Sequence, residues 1–127
     1  MDNQERFSAL RKLKSLRTQE EHARYIQEQE RRNHIKSIIR PACEVFTKSV
    51  EMDFRDNYDS WLFVDMVNEY RRIHVDFLVS ELSIYCSYAF CVCHENSKTI
   101  IPFNEPDIET KLVDALERVF RCLYEAI

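Results

Sequence analysis

The chain contains no glycine among its 127 residues, although average usage of about 7% would give roughly nine. Glycine supplies positive φ angles for tight turns and lets the backbone approach a ligand closely. Its absence excludes the P-loop, the dinucleotide-binding Gly-x-Gly-x-x-Gly motif and the Gly-x-Ser-x-Gly nucleophile elbow. A chain without glycine favours helices over a large twisted sheet with many short turns. The composition therefore predicts a mainly α protein.

Long apolar runs are missing as well. No stretch has the about eighteen uninterrupted apolar residues of a membrane span, and the polar start, Met1–Glu5, lacks the apolar run of a signal peptide. The five cysteines are an odd number, which without a secretory signal indicates reduced thiols. We therefore expect an intracellular, cytoplasmic protein that has neither a membrane nor a small-molecule substrate as its partner.

Apolar residues are nevertheless abundant, and they concentrate in one region. The chain is 45% hydrophobic and 12% aromatic, which suffices for one domain with a real core. The stretch from Ser60 to Cys93 carries the most apolar surface and includes the only tryptophan, Trp61. We expect the core to form around this stretch.

Charge divides the chain into unlike parts. Residues 1–42 contain ten Lys/Arg and six Asp/Glu, whereas residues 43–127 contain eight Lys/Arg and sixteen Asp/Glu. Such asymmetry is typical of a basic extension on an acidic body. We predict a basic helical arm at residues 1–40 and a compact, acidic, mainly helical body at residues 41–127.

The predicted arm has two sections. In the first, Phe7, Leu10, Leu13 and Leu16 recur every three residues. This spacing drifts around a helix until Phe7 and Leu16 lie on opposite faces, so it makes a poor coiled-coil seam. Residues 18–34 are polar on nearly all sides with a composition that favours helix. Such a helix needs a partner or is unstable alone, so we place it outside the core.

Pro41 interrupts the helical spacing that follows. Proline lacks an amide donor and pushes the residue before it, here Arg40, out of the helical region. We expect a break here, with Pro41 as the first residue of a new helix over about 41–54. The alternative is a kink within one long helix.

Three further elements are predicted in the body. Apolar residues at spacings of three and four predict a helix over 60–80. Alternation in residues 82–93, followed by a short apolar run at 99–103, favours a short hairpin over a buried helix, and Pro102 would confine the return strand to an edge. This hairpin would make the fold α+β. Residues 106–126 have one apolar face and predict an amphipathic helix.

Two clusters resemble chemical sites. Cys86, Cys91, Cys93 and His94 could suggest zinc, but their spacing departs from the usual Cys-x-x-Cys pairs. Buried free thiols, as also at Cys43 and Cys122, are the better interpretation.

His74 and Asp76 could be a general base and its orienting carboxylate, yet no nucleophile stands out beside them in the sequence. Asp65, Glu69, Asp76 and Glu81 are interpreted as carboxylates on a solvated helix face. We expect no catalytic residue, metal or cofactor.

The strongest functional signal is the basic arm. We predict a non-enzymatic protein that docks on RNA or on a ribonucleoprotein particle such as a ribosome, because lysine and arginine supply affinity for phosphates without sequence specificity. The alternative is a structural or adaptor subunit of a protein assembly that uses the arm in a helical bundle or coiled coil. The candidate contact residues are Arg6, Arg11, Lys12, Lys14, Arg17, Arg24, Arg31, Arg32, Lys36 and Arg40.

Overall fold

A computed structural model describes residues 2–93 and 97–125. Its helices are α1 (Asn3–Ser49) and α2 (Ile108–Glu125). Its strands are β1 (Met52–Asp56), β2 (Ser60–Asp65), β3 (Arg71–Phe77), β4 (Glu81–Tyr88), β5 (Cys91–Val92) and β6 (Thr99–Pro102). The fold is α+β, and the prediction of a mainly α protein with at most one short hairpin is wrong.

The six strands form one antiparallel sheet. The order is β1-β2-β3-β4, and both β5 and β6 pair with β4. β5 lies beside the end of β4, where Ser87 faces Val92, and β6 lies beside its start, where Leu82 faces Ile101. Pro102 thus lies in a strand with one neighbour, which suits a residue that lacks an amide donor.

The helix predicted over 60–80 is wrong, because this stretch forms β2, a loop and β3. Trp61 and Phe63 are buried on β2, and Ile73, Val75 and Phe77 are buried on β3, which is the period of two that a strand requires. The residues that suggested a helical period, Met66, Val67 and Tyr70, lie exposed in the loop. Five loop residues between two strands thus imitated helical spacing.

The preference for strands over 82–103 is confirmed, with a difference in detail. β4 pairs antiparallel with β6, as the hairpin requires. The alternating run does not continue to Cys93, however, because Ala89 and Phe90 turn the chain into β5. Both have positive φ angles, 50° and 70°, which is the backbone of a two-residue type I′ hairpin turn.

Other turns show how a sheet forms without glycine. Glu51, with a φ of 57°, occupies the left-handed position after α1 where glycine is usual. In the β2–β3 loop, the Asp65 carboxylate accepts hydrogen bonds from the amides of Val67, at 2.7 Å, and Asn68, at 2.9 Å. Side-chain oxygen acceptors and a few strained residues therefore replace glycine.

Pro41 does not break α1. The helix continues through it, so the predicted break and the new helix starting at Pro41 are wrong. A proline inside a helix costs about 3 kcal/mol. Ile35 and Ile39 before it and Cys43 after it are all buried in the core, and their burial on one continuous helical face offsets that cost. Pro41 itself is exposed.

The chain divides into two compact units, Met1–His34 and Ile35–Ile127. Within the described residues, the first unit consists of the helical residues of α1 up to His34, and nearly all of its side chains are exposed. The second unit holds the rest of α1, the sheet and α2. The division falls earlier in the chain than the predicted boundary at residue 40, and Ile35 and Ile39 are core residues of the second unit.

The core of the second unit lies on one face of the sheet. Trp61 is fully buried, with its ring 5.1 Å from that of Phe54 and 4.8 Å from that of Phe77. From α1, Phe46 meets Phe63 at a centroid distance of 6.1 Å and Phe120 of α2 at 6.0 Å. The end of α1 and α2 therefore cover the same face of the sheet.

The C-terminal amphipathic helix is confirmed. α2 buries Ile108, Leu112, Ala115, Leu116, Val119 and Leu123. These residues recur at spacings of three, four and one, as one face of a helix requires.

Removal of core side chains should destabilise the fold strongly. Trp61→Ala should cost about 3–5 kcal/mol and Leu116→Ala about 2–5 kcal/mol, because each leaves a cavity in a packed interior. Urea denaturation followed by circular dichroism measures both. Val67→Ala is the control, since Val67 is 96% exposed. Equal stability of the core variants and this control would contradict the packing described.

Truncation should separate the two units. A fragment 35–127 should unfold cooperatively, because it keeps all of the core. A fragment 43–127, which lacks Ile35 and Ile39, should be several kcal/mol less stable than 35–127. Chemical denaturation of both fragments tests this, and an unfolded 35–127 fragment would show that the first unit is needed for folding.

Candidate binding surfaces

Five basic residues of the first unit lie in an exposed section of α1 that contains no acidic residue. From Arg6 to Arg17 there are five Lys/Arg and no Asp/Glu, and all five basic residues are exposed. Arg17 pairs with Glu20 at 3.4 Å. Among the described residues, no ion pair involves Arg6, Arg11, Lys12 or Lys14. Arg24 and Arg31 are exposed and Arg32 is partly buried.

The last two candidate residues are used within the second unit. The Lys36 ammonium donates to the backbone oxygen of Tyr58 at 3.0 Å and lies 5.1 Å from the centre of the Phe77 ring. Arg40 donates to Asp56 at 2.8 Å and to Glu44 at 3.0 Å. The structure therefore brings these two cations to the protein's own carboxylates and aromatic rings, apart from the acid-free section.

Arg40 also covers the central aromatic residues. Its guanidinium lies 5.1 Å from the Phe54 ring and 5.6 Å from the Trp61 ring, and the indole of Trp61 donates to the second oxygen of the Asp56 carboxylate at 3.1 Å. The hydrogen bonds to Asp56 and Glu44 raise the pKa of Arg40. One carboxylate thus holds both a cation and the tryptophan in place.

The same section of α1 exposes an apolar ladder, which we define as Phe7, Leu10, Leu13 and Leu16. Their exposed fractions are 65%, 59%, 64% and 58%. Exposed apolar residues are common when single, but four at intervals of three residues form a band that winds through about 180° around the helix. The ladder is thus an exposed apolar surface on the first unit.

A second incomplete surface lies within the second unit, between α1 and α2. Two adjoining depressions, of about 420 and 500 Å³, share Phe46 and Val113, and we call them together the α1–α2 groove. Its other lining residues are Pro41, Ala42, Val45, Ser49, Val50, Glu109, Leu116, Glu117, Phe120, Arg121, Tyr124 and Glu125. Val45 is 66% exposed and Val113 is 46% exposed, so the groove has an uncovered apolar floor.

The rim of the groove is acidic. Glu109, Glu117 and Glu125 line it together with a single cation, Arg121. Arg121 pairs with Glu117 at 3.3 Å and with Glu125 at 3.0 Å. These are exposed pairs that contribute little to stability, but the surplus of carboxylates makes the groove attractive to cations.

The predicted pair His74 and Asp76 lies on the other face of the sheet, not on a helix. The His74 ring stacks on Tyr85 at 4.5 Å, and its Nε2 lies 2.7 Å from the Ser87 hydroxyl. Asp76 interacts with His74 and is hydrogen-bonded to Tyr85. The structure therefore places the Ser87 hydroxyl beside His74, a contact that the sequence did not indicate because the two residues are far apart in the chain.

This cluster is packed as a polar part of the sheet. Ser87 is only 6% exposed, whereas a nucleophile has to reach its substrate and needs donors for the developing oxyanion. Burial lowers the pKa of His74, with Arg72 acting in the same direction and Asp76 opposing. Burial and Asp76 raise the pKa of Tyr85 to about 12. A neutral imidazole and a neutral phenol fit the stacked arrangement.

The other carboxylates also lie off the predicted helix. Asp65 ends β2, Glu69 lies in the loop and Glu81 begins β4. The Tyr124 hydroxyl donates to Asp65. Burial raises the pKa of Asp65, but hydrogen bonds from Tyr124 and from two backbone amides outweigh it, so its pKa is lowered. Asp65 therefore joins the β2–β3 loop to α2 as an ionised acceptor.

The thiols meet in a set that differs from the predicted cluster. Cys86 lies beside Cys93 and Cys122, and burial, followed by contacts with these two thiols, raises its pKa. Cys91 is exposed, and His94 lies outside the described residues. Within 2–93 and 97–125, no three His, Cys, Asp or Glu side chains are arranged to hold a metal ion.

Comparisons with known proteins add no relative: no family model, no curated protein and no solved structure matches this chain. In the part of the chain that the structure describes, neither helix is long and apolar enough to cross a membrane.

The groove is the feature that the sequence did not reveal. Val45 and Val113 are apolar residues beside the buried faces of their helices, and they widen those faces on one side. The wider apolar faces could have indicated the groove from the sequence. They do so only once the two helices are known to lie side by side. Likewise, Lys36 and Arg40 could be separated from the arm only through contacts with β1, β2 and β3.

Acidification should destabilise the protein through His74. Its pKa in the folded state is lowered, so the unfolded state binds more protons and stability rises with pH. The contribution is present above the unfolded pKa of about 6.5 and is lost as pH falls through the folded value. His74→Gln should flatten the pH dependence between about 7 and 5.

Urea denaturation of both proteins at several pH values measures this difference. His22→Gln is the matched control, because His22 is exposed on the first unit. If His22→Gln and His74→Gln flattened the profile equally, the effect could not come from burial of His74.

Proposed function

We propose that the protein is a non-enzymatic binding protein that docks on RNA or on a ribonucleoprotein particle through the basic residues of its first unit. The observation that carries the proposal is the exposed, acid-free section from Arg6 to Arg17. Among the described residues, its first four cations have no carboxylate partner, so they can exchange solvent counterions for phosphates.

Helix geometry suits this role. The five cations of the section spread around α1, so some of them reach a phosphate backbone whichever side of the helix faces it. Arg24 and Arg31 continue the exposed basic set. Lys36 and Arg40 are left out of the proposed contact set, because each already has partners in the second unit.

A second candidate function is supported by the apolar ladder. Phosphate contacts do not require four exposed apolar side chains, whereas an apolar stripe on a helix is the usual means of docking on another helix. An adaptor subunit of a protein assembly would use the ladder first and the cations second. The two candidates predict opposite sensitivities to salt and to leucine substitution.

Charge reversal should separate them. Changing Arg11, Lys12, Lys14 and Arg17 to Glu should weaken binding to a fluorescent single-stranded RNA of mixed sequence steeply. In the residual binding at low salt, the slope of log affinity against log salt concentration should be smaller by about 3, as expected for loss of four phosphate contacts. Fluorescence anisotropy at several salt concentrations measures both quantities.

The matched control reverses four exposed cations of the second unit: Lys48, Arg55, Lys111 and Arg118. It changes net charge equally, so loss of binding in the control as well would show that overall charge, not the arm, is responsible. Capture of partners from a lysate with and without ribonuclease is the complementary test. Partners that survive ribonuclease and are lost on Leu10→Asp with Leu13→Asp would favour the adaptor function.

A further inference from the structure

The chain carries two incomplete surfaces of complementary character. One is the apolar ladder on a basic section of α1, and the other is the α1–α2 groove with its apolar floor and acidic rim. We propose that the basic section of one molecule docks in the α1–α2 groove of a second copy of this chain. This interaction goes beyond RNA docking and does not depend on it.

Apolar complementarity is the first argument. The ladder residues are 58–65% exposed, and the groove floor exposes Val45 and Val113 beside the aromatic residues Phe46 and Phe120. An amphipathic helix laid in a groove between two helices buries both surfaces together. The groove is lined by parts of two helices, so a third helix would continue the layer that covers the sheet.

Length is the second argument. From Phe7 to Leu16 a helix rises by about 14 Å, and from Pro41 to Val50, the α1 side of the groove, it also rises by about 14 Å. The two lengths match, and Leu10 and Leu13, about 60° apart around the helix, can face the groove floor together, with Phe7 and Leu16 toward its two sides.

Charge is the third argument. All charged residues from Arg6 to Arg17 are cations, whereas the groove is lined by Glu109, Glu117 and Glu125 and by Arg121. At about 100° per residue, Lys14 and Arg17 lie on the apolar side of the section, toward such a rim. Complementary charge favours this docking direction and opposes arm-to-arm pairing of two basic helices.

The proposal leaves two of the candidate RNA contacts, Arg11 and Lys12, available. By the same angle, Arg11 and Lys12 project from the side opposite Leu10 and Leu13. A docked section therefore keeps these two cations in solvent. Lys14 and Arg17 are shared by both proposals, whereas Arg11 and Lys12 serve RNA contact alone, so substitution of Arg11 and Lys12 tests RNA contact separately from association.

Sedimentation velocity of the full chain over a wide concentration range is the test, after high salt and ribonuclease have removed nucleic acid. The 15.3 kDa chain should associate with increasing concentration. Leu13→Asp on the ladder and Val113→Asp on the groove should each weaken association by about tenfold or more. Val67→Asp is the control, since Val67 is 96% exposed and lies outside the groove.

Charge exchange gives a sharper result. A variant with Lys14→Glu and Arg17→Glu and a variant with Glu109→Lys and Glu117→Lys should each associate weakly alone. Their mixture should associate, because each supplies a surface that complements the other. Circular dichroism confirms that every variant is folded, and Arg11→Glu with Lys12→Glu should reduce RNA affinity while leaving association unchanged.

Several outcomes would overturn the proposal. A wild-type protein that stays monomeric at all concentrations would do so, as would association that needs added RNA. Association abolished by Leu13→Asp but untouched by Val113→Asp would place the contact between two arms. Binding of the monomer to anionic lipid vesicles, lost with Leu13→Asp, would identify a lipid surface as the occupant of the ladder.

Discussion

The inner aromatic layer of the sheet is the constraint on which the second unit depends. Trp61 lies between Phe54 and Phe77 with no exposed surface, and so large an apolar area has to be covered by another layer. The end of α1 supplies that cover with its isoleucines and with the stacked guanidinium of Arg40. This requirement explains why α1 passes through Pro41, because a break there would uncover the aromatic rings.

Because the chain has no glycine, other residues adopt the backbone angles that its turns require, at a cost in conformational free energy. Ala89 and Phe90 adopt left-handed backbone angles, at an expense of about 1–2 kcal/mol each. The longer β2–β3 loop avoids this cost through Asp65, whose carboxylate binds two loop amides and the Tyr124 hydroxyl. A chain without glycine can therefore form a sheet when carboxylates hydrogen-bond the loop amides and the loop needs no residue with a positive φ angle.

The sequence predicts correctly those elements whose apolar residues follow one period, helical or extended, without interruption. The C-terminal helix has an uninterrupted apolar face, and it was found with nearly the predicted bounds. The prediction of a helix over 60–80 is wrong because Val67 and Tyr70, in the loop between two strands, continue the helical spacing of apolar residues. Only their exposure distinguishes these loop residues from core residues. The exposed cations of residues 6–17 could be identified from composition, whereas the groove depends on how α1 and α2 pack side by side.

The uneven distribution of charge along the chain corresponds to two surfaces of the structure, the basic section with its apolar ladder and the acidic α1–α2 groove. A basic section with an apolar ladder is poorly stabilised as an isolated helix, because most helical stability in proteins comes from packing of an apolar face. An acidic groove with an uncovered apolar floor leaves area unburied in the same way. In the proposed association of two copies, opposite charges on the two surfaces favour this contact over contacts between like surfaces. The apolar areas that the ladder and the groove leave exposed would then be buried together.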